Sequence, residues 1–153
     1  MQRKESGKKA PVKNASKLKV GIVVSTYYED ITGRMLDGAL ETLRAWKVSE
    51  KNITIVRVPG SFELTYGCLS LLKQKKAHAI VALGCIIKGE TSHDEYIAHA
   101  VAQGVVQLMV EYKKPISFGL LTVNTLEQAT VRSTGENNKG KEAAIASLEM
   151  ALL

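Results

Sequence analysis

The stretch AHAIVALGCIIKGETSHDEYIAHAVAQGVVQLMVEY, residues 77–112, decides the fold of this chain. Its first part, residues 77–86, is an almost unbroken run of small and β-branched apolar residues and predicts a buried strand. Residues 92–112 repeat apolar side chains at the spacing of a helix. A buried strand followed by a long helix is the repeating unit of a parallel sheet.

The same strand-and-helix unit recurs on both sides of this stretch. Apolar runs predict three further strands, at residues 18–25, 53–58 and 116–123. Helical stripes follow these strands, at residues 31–48, 62–75, 125–132 and 139–153. This βαβαβαβα order, with strands that are apolar along their length, predicts a three-layer α/β/α, flavodoxin-like domain with a four-stranded parallel sheet over residues 18–153.

The positive charge of the chain is concentrated at its beginning. The formal net charge is +6, and residues 1–17 contain six lysines and arginines against one glutamate. A like-charged segment with few large apolar groups predicts a basic, flexible N-terminal tail. Such a tail either solubilises the chain or contacts acidic partners or neighbouring subunits.

Composition bounds the class of protein. Hydrophobic residues make up 45% of the chain, enough for a core, but the longest apolar runs are too short to span a membrane. The basic N-terminus lacks the apolar segment of a secretory signal. The two cysteines, Cys68 and Cys85, are far apart without a CxxC pattern, which predicts buried thiols in a cytoplasmic protein.

Ligands of parallel sheets bind beyond the carboxyl ends of the strands. In this chain that rule selects four segments, at residues 26–29, 59–63, 85–93 and 122–125. The third segment leads into the long helix and holds the pattern that is richest in chemistry.

That pattern is Ser92-His93-Asp94-Glu95, which has the S-x-x-E form of a capping box. It predicts Ser92 at the N-cap and His93 in the first turn, where free backbone N–H groups form an anion site. The helix dipole favours a neutral imidazole, which can accept and return a proton. The alternative is a surface histidine at the start of a helix.

Two other site classes are disfavoured by spacing. Residues 84–89 have the GxxxxG spacing of a P-loop, but Glu90-Thr91 stand where Lys-Ser/Thr is needed. The three histidines show no metal-ligand spacing, so no metal site is predicted.

The scarce aromatic side chains and one arginine suggest a binding site. Tyr27, Tyr28, Phe62 and Phe118 could sandwich a flat heterocycle. Core packing is the alternative for each phenylalanine and is favoured for Phe118. Arg132 could clamp a phosphate, or satisfy free carbonyls at the end of a helix that a T-x-x-Q cap begins at Thr125.

The long helix carries two adjacent apolar stripes, wider than one sheet contact requires. One contains Val101 and Val105, and the other contains Ala102 and Val106. The helix is either packed deeply in the core or covered by a second subunit.

At these residues the chain resembles the 6,7-dimethyl-8-ribityllumazine synthase family of riboflavin biosynthesis, from about residue 19 to about residue 150. Several motifs in the same order carry the resemblance: Val58-Pro59-Gly60-Ser61-Phe62-Glu63, residues 84–93, Phe118-Gly119, Glu127-Gln128-Ala129 with Arg132, and Asn138-Lys139-Gly140. The resemblance implies a transferase that joins 5-amino-6-(D-ribitylamino)uracil to 3,4-dihydroxy-2-butanone 4-phosphate. The products are 6,7-dimethyl-8-ribityllumazine, phosphate and water, and no metal or other cofactor is implied.

The resemblance also implies roles for individual residues. His93 is the catalytic proton-transfer residue. The aminouracil site comprises Tyr27, Ser61, Phe62, Glu63, Cys85, Ile86, Ile87 and Phe118. The butanone phosphate site comprises Glu90, Thr91, Arg132 and Lys139. Phe118 and Arg132 are expected from a neighbouring subunit of a homopentamer, which in some members builds a sixty-subunit shell and associates with riboflavin synthase.

The chain departs from the family pattern at four of these places. Tyr27 stands where Phe or Trp is usual, Ser61 where Ala is common, Lys88 where Arg is frequent, and Asp94 where an aromatic residue is common. Two other functions stay open: a non-catalytic shell protein that binds flavin or lumazine, and a nucleic-acid binder that uses the basic tail. The nearly neutral remainder of the chain disfavours nucleic acid.

Overall fold

The four strands form one parallel sheet. The computed structural model describes residues 11–74 and 77–153. In it, β1 (Val20–Ser25), β2 (Ile53–Val58), β3 (Ala79–Ile87) and β4 (Ile116–Val123) lie in the order β2-β1-β3-β4. Ile22 of β1 pairs with Ile55 on one side and with Val81 on the other. The predicted four-stranded parallel sheet is confirmed, and its order is that of flavodoxin-like folds.

Helices cover both faces of the sheet. They are α1 (Glu29–Ala45), α2 (Leu64–Lys73), α3 (His93–Tyr112), α4 (Leu126–Val131) and α5 (Lys139–Ala151). Because successive strand residues point to opposite faces, Ile22 joins the core formed with α1 and α5, whereas Val23 joins the core formed with α2 and α3. The predicted three-layer α/β/α architecture is confirmed.

Several element bounds differ from the predicted ones by a few residues. The first helix ends at Ala45, not at residue 48, because Lys47 adopts a left-handed φ of 66°. The second helix begins with a 3₁₀ turn, Ser61–Glu63, before α2 starts at Leu64. Its predicted end at Lys75 lies outside the described residues.

The chain packs against the domain from Ala15 onward. Ala15 lies within the segment predicted as a basic tail, yet it is buried in the core beside α1, and its N–H donates to the Trp46 carbonyl oxygen at 2.8 Å. Residues 11–14 are exposed. Residues 1–10, which carry most of the predicted tail, lie outside the described residues.

The α3 helix is buried along only one of its two apolar stripes. Val101, Val105 and Leu108 are buried against the sheet and α2. Val106 and Val110 are 55% and 74% exposed, so the deeply packed alternative is wrong for this side of the helix. In the described part of the chain, no helix combines the length and apolar character needed to cross a membrane.

Candidate active site

A cavity of about 830 Å³ opens at the carboxyl edge of the sheet. Its walls come from the segments after β1, β2 and β3 and from the first two turns of α3. The lining residues are Tyr27, Tyr28, Gly60, Ser61, Phe62, Glu63, Cys85, Ile86, Ile87, Gly89, Thr91, His93, Asp94, Tyr96, Ile97 and Ala100. The volume suits a small molecule. Nine of the predicted site residues meet here: Tyr27, Ser61, Phe62, Glu63, Cys85, Ile86, Ile87, Thr91 and His93.

The floor of the cavity forms where the loop after β2 meets the end of β3. The buried Ser61 hydroxyl donates to the Cys85 carbonyl oxygen at 3.4 Å. The Glu63 carboxylate accepts the Gly60 N–H at 3.0 Å and closes the turn that presents Phe62. This hydrogen bond uses only one of the two carboxylate oxygens. Glu63 therefore shapes the loop with one oxygen and keeps the other for a ligand.

Burial keeps the thiol in the cavity wall neutral. Desolvation raises the pKa of the Cys85 thiol from 9.0 to about 11. A neutral thiol is a weak nucleophile, so Cys85 acts as a small apolar wall residue. Cys68, on the buried side of α2, has its pKa raised to about 12, also by desolvation. Both cysteines are free and buried, which confirms the predicted buried thiols.

Aromatic side chains surround the mouth of the cavity. Phe62 is 61% exposed there, so core packing is the wrong alternative for it. The Tyr27 and Tyr28 rings meet edge to face, with centroids 4.9 Å apart. Burial raises the pKa of the Tyr28 hydroxyl, and electrostatic interaction with Tyr27 and Cys85 raises it further. The exposed Tyr96 was missed from the sequence, although its place three residues after His93 puts it on the same side of the helix.

His93 begins α3, but the predicted capping box is wrong. Ser92 is the N-cap residue, and its side chain makes no capping hydrogen bond. The reason is local, since Ser92 has a ψ of 13° instead of the extended backbone that aims an N-cap side chain at the next turn. The Thr91 hydroxyl accepts the His93 N–H instead, at 3.4 Å. The imidazole is therefore held at the cavity by its place at the start of the helix.

Phe118 lies in a second, smaller cavity of about 360 Å³ on the β4 side of α3. Phe118 is 41% exposed, so the favoured alternative of core packing is wrong. Thr122 and Asn124, from the fourth strand-end segment, line this cavity as well. The chain's own Phe118 is thus separated from the larger cavity.

The two cationic residues predicted to bind phosphate, Arg132 and Lys139, are adjacent to each other and do not line the larger cavity. The Lys139 N–H donates to the Arg132 carbonyl oxygen at 2.8 Å. The Arg132 Nη1 donates to the Gln128 carbonyl oxygen at 3.1 Å, which is the helix-end contact considered from the sequence. The Lys139 ammonium pairs with Glu142 at 2.9 Å. Four of the predicted site residues do not line the larger cavity: Glu90, Phe118, Arg132 and Lys139.

The predicted T-x-x-Q cap before Arg132 is confirmed. The Thr125 hydroxyl accepts the Gln128 N–H at 3.2 Å, and the Gln128 side-chain oxygen accepts the Asn124 N–H at 2.8 Å. Asn138, read from the sequence only as part of a turn, is buried and bridges helices. Its amide donates to the Arg34 carbonyl oxygen at 2.9 Å.

The fold and the cavity define an α/β protein with a small-molecule site at the carboxyl edge of a parallel sheet. The sequence model described as 6,7-dimethyl-8-ribityllumazine synthase matches residues 17–153. Relatives that carry the same name include the following three. The one from Bacteroides fragilis is 46% identical over 134 residues, covering 87% of this chain and 94% of the relative. The one from Phocaeicola vulgatus is 43% identical over 140 residues, covering 91% and 83%. The one from Parabacteroides distasonis is 42% identical over 140 residues, covering 91% and 88%.

The chain belongs to the 6,7-dimethyl-8-ribityllumazine synthase family. This confirms the predicted family, its place in riboflavin biosynthesis and the transferase class.

Proposed function

We propose that this chain condenses 5-amino-6-(D-ribitylamino)uracil with 3,4-dihydroxy-2-butanone 4-phosphate to form 6,7-dimethyl-8-ribityllumazine, with release of phosphate and water. The observation that carries this proposal is the cavity in which an aromatic mouth, the Ser61–Cys85 floor and His93 meet. Family membership supports the choice of substrates.

The aminouracil suits the larger cavity. A flat, polar ring can stack on Tyr27 and Phe62 at the mouth, while the apolar wall formed by Cys85, Ile86 and Ile87 excludes water from its face. Hydrophobic walls with a few placed polar groups are typical of small-molecule sites. We assign these residues, with Ser61 and Glu63, to aminouracil binding.

Proton transfer is assigned to His93. An amine of the uracil attacks the ketone of the second substrate, and loss of water forms an imine. Loss of phosphate turns the neighbouring hydroxyl-bearing carbon into a carbonyl, which the ribityl-bearing amine attacks with loss of a second water to close the ring. Protons must therefore be taken from nitrogen and carbon and given to oxygen. A histidine side chain can both accept and donate a proton at neutral pH. Holding two substrates together supplies a further share of the rate enhancement.

The phosphate group is assigned to the loop before α3 and to two cations. The Thr91 hydroxyl lies at the cavity, and the first N–H groups of α3 favour an anion. Glu90 belongs to the same loop. Arg132 and Lys139 are adjacent, and Arg132 can bind phosphate through two N–H groups at once.

We propose that the chain acts as a homopentamer with sites shared between subunits. Phe118, Arg132 and Lys139 lie outside their own chain's larger cavity, and the α3 side with Val106 and Val110 is uncovered. A neighbour placed against this side would bury apolar surface and bring a second set of side chains to each cavity. A sixty-subunit shell, association with riboflavin synthase and a cytoplasmic location are further proposals. The basic tail predicted at residues 1–17 is anchored to the domain at the buried Ala15, so any flexible part precedes it.

The activity is tested by mixing the purified chain with both substrates and recording lumazine fluorescence. Product is expected only when both substrates are present. The Bacteroides fragilis relative serves as the positive control. If the relative forms lumazine and this chain binds the aminouracil without turnover, the proposal is wrong and a non-catalytic binding protein takes its place.

Assembly is tested separately by sedimentation velocity. The expected mass is five times that of the 16.6 kDa chain, or a multiple of five. A monomer that turns over both substrates would contradict the shared site.

A further inference from the structure

Asp94 lies where the two cavities meet. It follows His93 in the first turn of α3, and of the described residues only Asp94 and Ile86 line both cavities. Its Oδ1 atom is buried, and no described group donates a hydrogen bond to it. Sequence reasoning assigned Asp94 no role in binding.

A buried carboxylate oxygen without a donor is costly, because burial removes its water and nothing replaces the lost hydrogen bonds. His93 does not supply the donor, because consecutive helical side chains point apart. The Thr91 hydroxyl, which accepts the His93 N–H, makes no hydrogen bond to Oδ1 either. The donor therefore comes from outside the described residues, and the place of Asp94 in the wall of the larger cavity favours a molecule bound there over a neighbouring subunit.

We infer that Asp94 is a substrate-binding residue whose carboxylate accepts a hydrogen bond from an N–H or O–H group of the aminouracil. This inference rests on the proposed function. Rotation of the carboxylate about its terminal torsion exchanges the two oxygens without moving the backbone, because that torsion is broad. Hydrogen bonds to an ionised acceptor are shorter and stronger than neutral ones.

Charge decides which of the two substrates Asp94 recognises. The aminouracil carries amine, ring N–H and ribityl hydroxyl donors and no net negative group. The butanone phosphate carries an anion, which a carboxylate repels at short range. Asp94 therefore favours the aminouracil on its side of the cavity and disfavours binding of the phosphate substrate in the same place.

The test is a calorimetric titration of the aminouracil into the wild-type chain, Asp94→Ala and Asp94→Asn. Glu111→Ala, which removes an exposed carboxylate at the other end of α3, is the matched control. Asp94→Ala is expected to weaken binding about ten- to a hundredfold, the range for a lost hydrogen bond to a charged group. Asp94→Asn keeps an acceptor and the shape of the side chain, so it should weaken binding less. It also tests the inference if the alanine variant does not fold.

Inorganic phosphate distinguishes a binding role from a structural one. Its affinity should be unchanged or higher in Asp94→Ala, because a repelling charge is removed, whereas a distorted cavity would weaken both ligands. An analogue with a 5-nitro group in place of the amine identifies the donor. If the amine is the donor, Asp94→Ala does not affect this analogue, and if a ring N–H or a ribityl hydroxyl is the donor, the loss persists.

Two outcomes would overturn the inference: aminouracil affinity in Asp94→Ala within twofold of Glu111→Ala, or equal losses for aminouracil and phosphate. A wild-type chain that binds the aminouracil but forms no lumazine refutes the proposed function alone. Normal turnover with unchanged binding in Asp94→Ala refutes this inference alone.

Discussion

The Ser61 hydroxyl donates to the carbonyl oxygen of Cys85 across 3.4 Å and joins the loop that follows β2 to the carboxyl end of β3. The loop approaches the strand this closely because residue 84 is a glycine. A Cβ atom on Gly84 would lie 2.7 Å from Ser61 Oγ and 2.9 Å from a methyl group of Leu64. The floor of the cavity thus depends on a missing side chain.

Gly84→Ala is expected to lower the free energy of unfolding by roughly 1–3 kcal/mol, the usual cost of overpacking a core. Urea denaturation monitored by circular dichroism measures it. Gly89→Ala, in the loop that follows β3, is the matched control, since nothing lies within 4 Å of a Cβ there. Equal midpoints for the two variants would contradict the close approach of the loop to β3.

The α1–α5 contact depends on Gly140 in the same way. A Cβ on Gly140 would lie 1.8 Å from the Met35 carbonyl oxygen, so alanine there must push the helices apart. We expect Gly140→Ala to cost about 3 kcal/mol or more. Gly33→Ala on α1, where a Cβ meets nothing within 4 Å, should gain roughly 0.5–1 kcal/mol because alanine is the better helix former. Thermal unfolding of the two variants should shift in opposite directions, and a stable Gly140→Ala chain would refute the contact.

Stability should fall at alkaline pH because of the buried thiols. Burial raises the pKa of Cys68 to about 12 from 9.0. The folded chain therefore keeps a proton that the unfolded chain loses above pH 9, so the stabilisation is complete below pH 9 and declines as the pH rises toward 12. The loss from this thiol between pH 7 and pH 10 is roughly 1–2 kcal/mol.

Urea midpoints at pH 7 and pH 10 measure this loss. The Cys68→Ala variant should be less stable at both pH values and should show a flatter pH dependence than the wild type. If the urea midpoint changes equally with pH in both proteins, Cys68 ionises as readily in the folded chain as in the unfolded one, which would contradict the prediction.

A shared site predicts recovery of activity in mixed assemblies. His93→Ala and Arg132→Ala should each be nearly inactive. Subunits of the two variants, unfolded and refolded together, should form some interfaces that carry both native residues and so regain part of the activity. Mixtures of each variant with itself provide the control. No recovery in a verified mixed assembly would contradict the supply of Arg132 by a neighbour.

The sequence was sufficient for most of the fold because the strands are apolar along their length. Ile53–Val58 and Ile116–Val123 have the predicted bounds. Helix ends were less predictable, because the backbone of Lys47 and the 3₁₀ turn at Ser61–Glu63 depend on tertiary packing. The Ser92 cap failed for a similar reason, since residue types specify which side chain can cap but not its ψ angle.

The site was predicted in part. Strand ends and the family resemblance brought together the residues that line the larger cavity, including Tyr27, Phe62 and His93. Asp94 and Tyr96 were missed because nothing in their residue types indicates which cavity a first-turn side chain faces. Asn138 was predicted only as a turn residue, because the carbonyl oxygens that its amide contacts belong to Arg34, which is distant in the sequence, and to Ser133, which lies in a loop.

The most direct test of the central claim is the turnover number of His93→Ala with both substrates, beside that of His78→Ala. His78 is an exposed histidine at the amino end of β3, on the edge of the sheet opposite the cavity. We expect His93→Ala to lose about 10²- to 10⁴-fold in kcat, the contribution of general acid–base catalysis, and still to bind the aminouracil, while His78→Ala keeps the wild-type kcat. Unchanged turnover in His93→Ala would contradict the assignment of this cavity's histidine as the proton-transfer group.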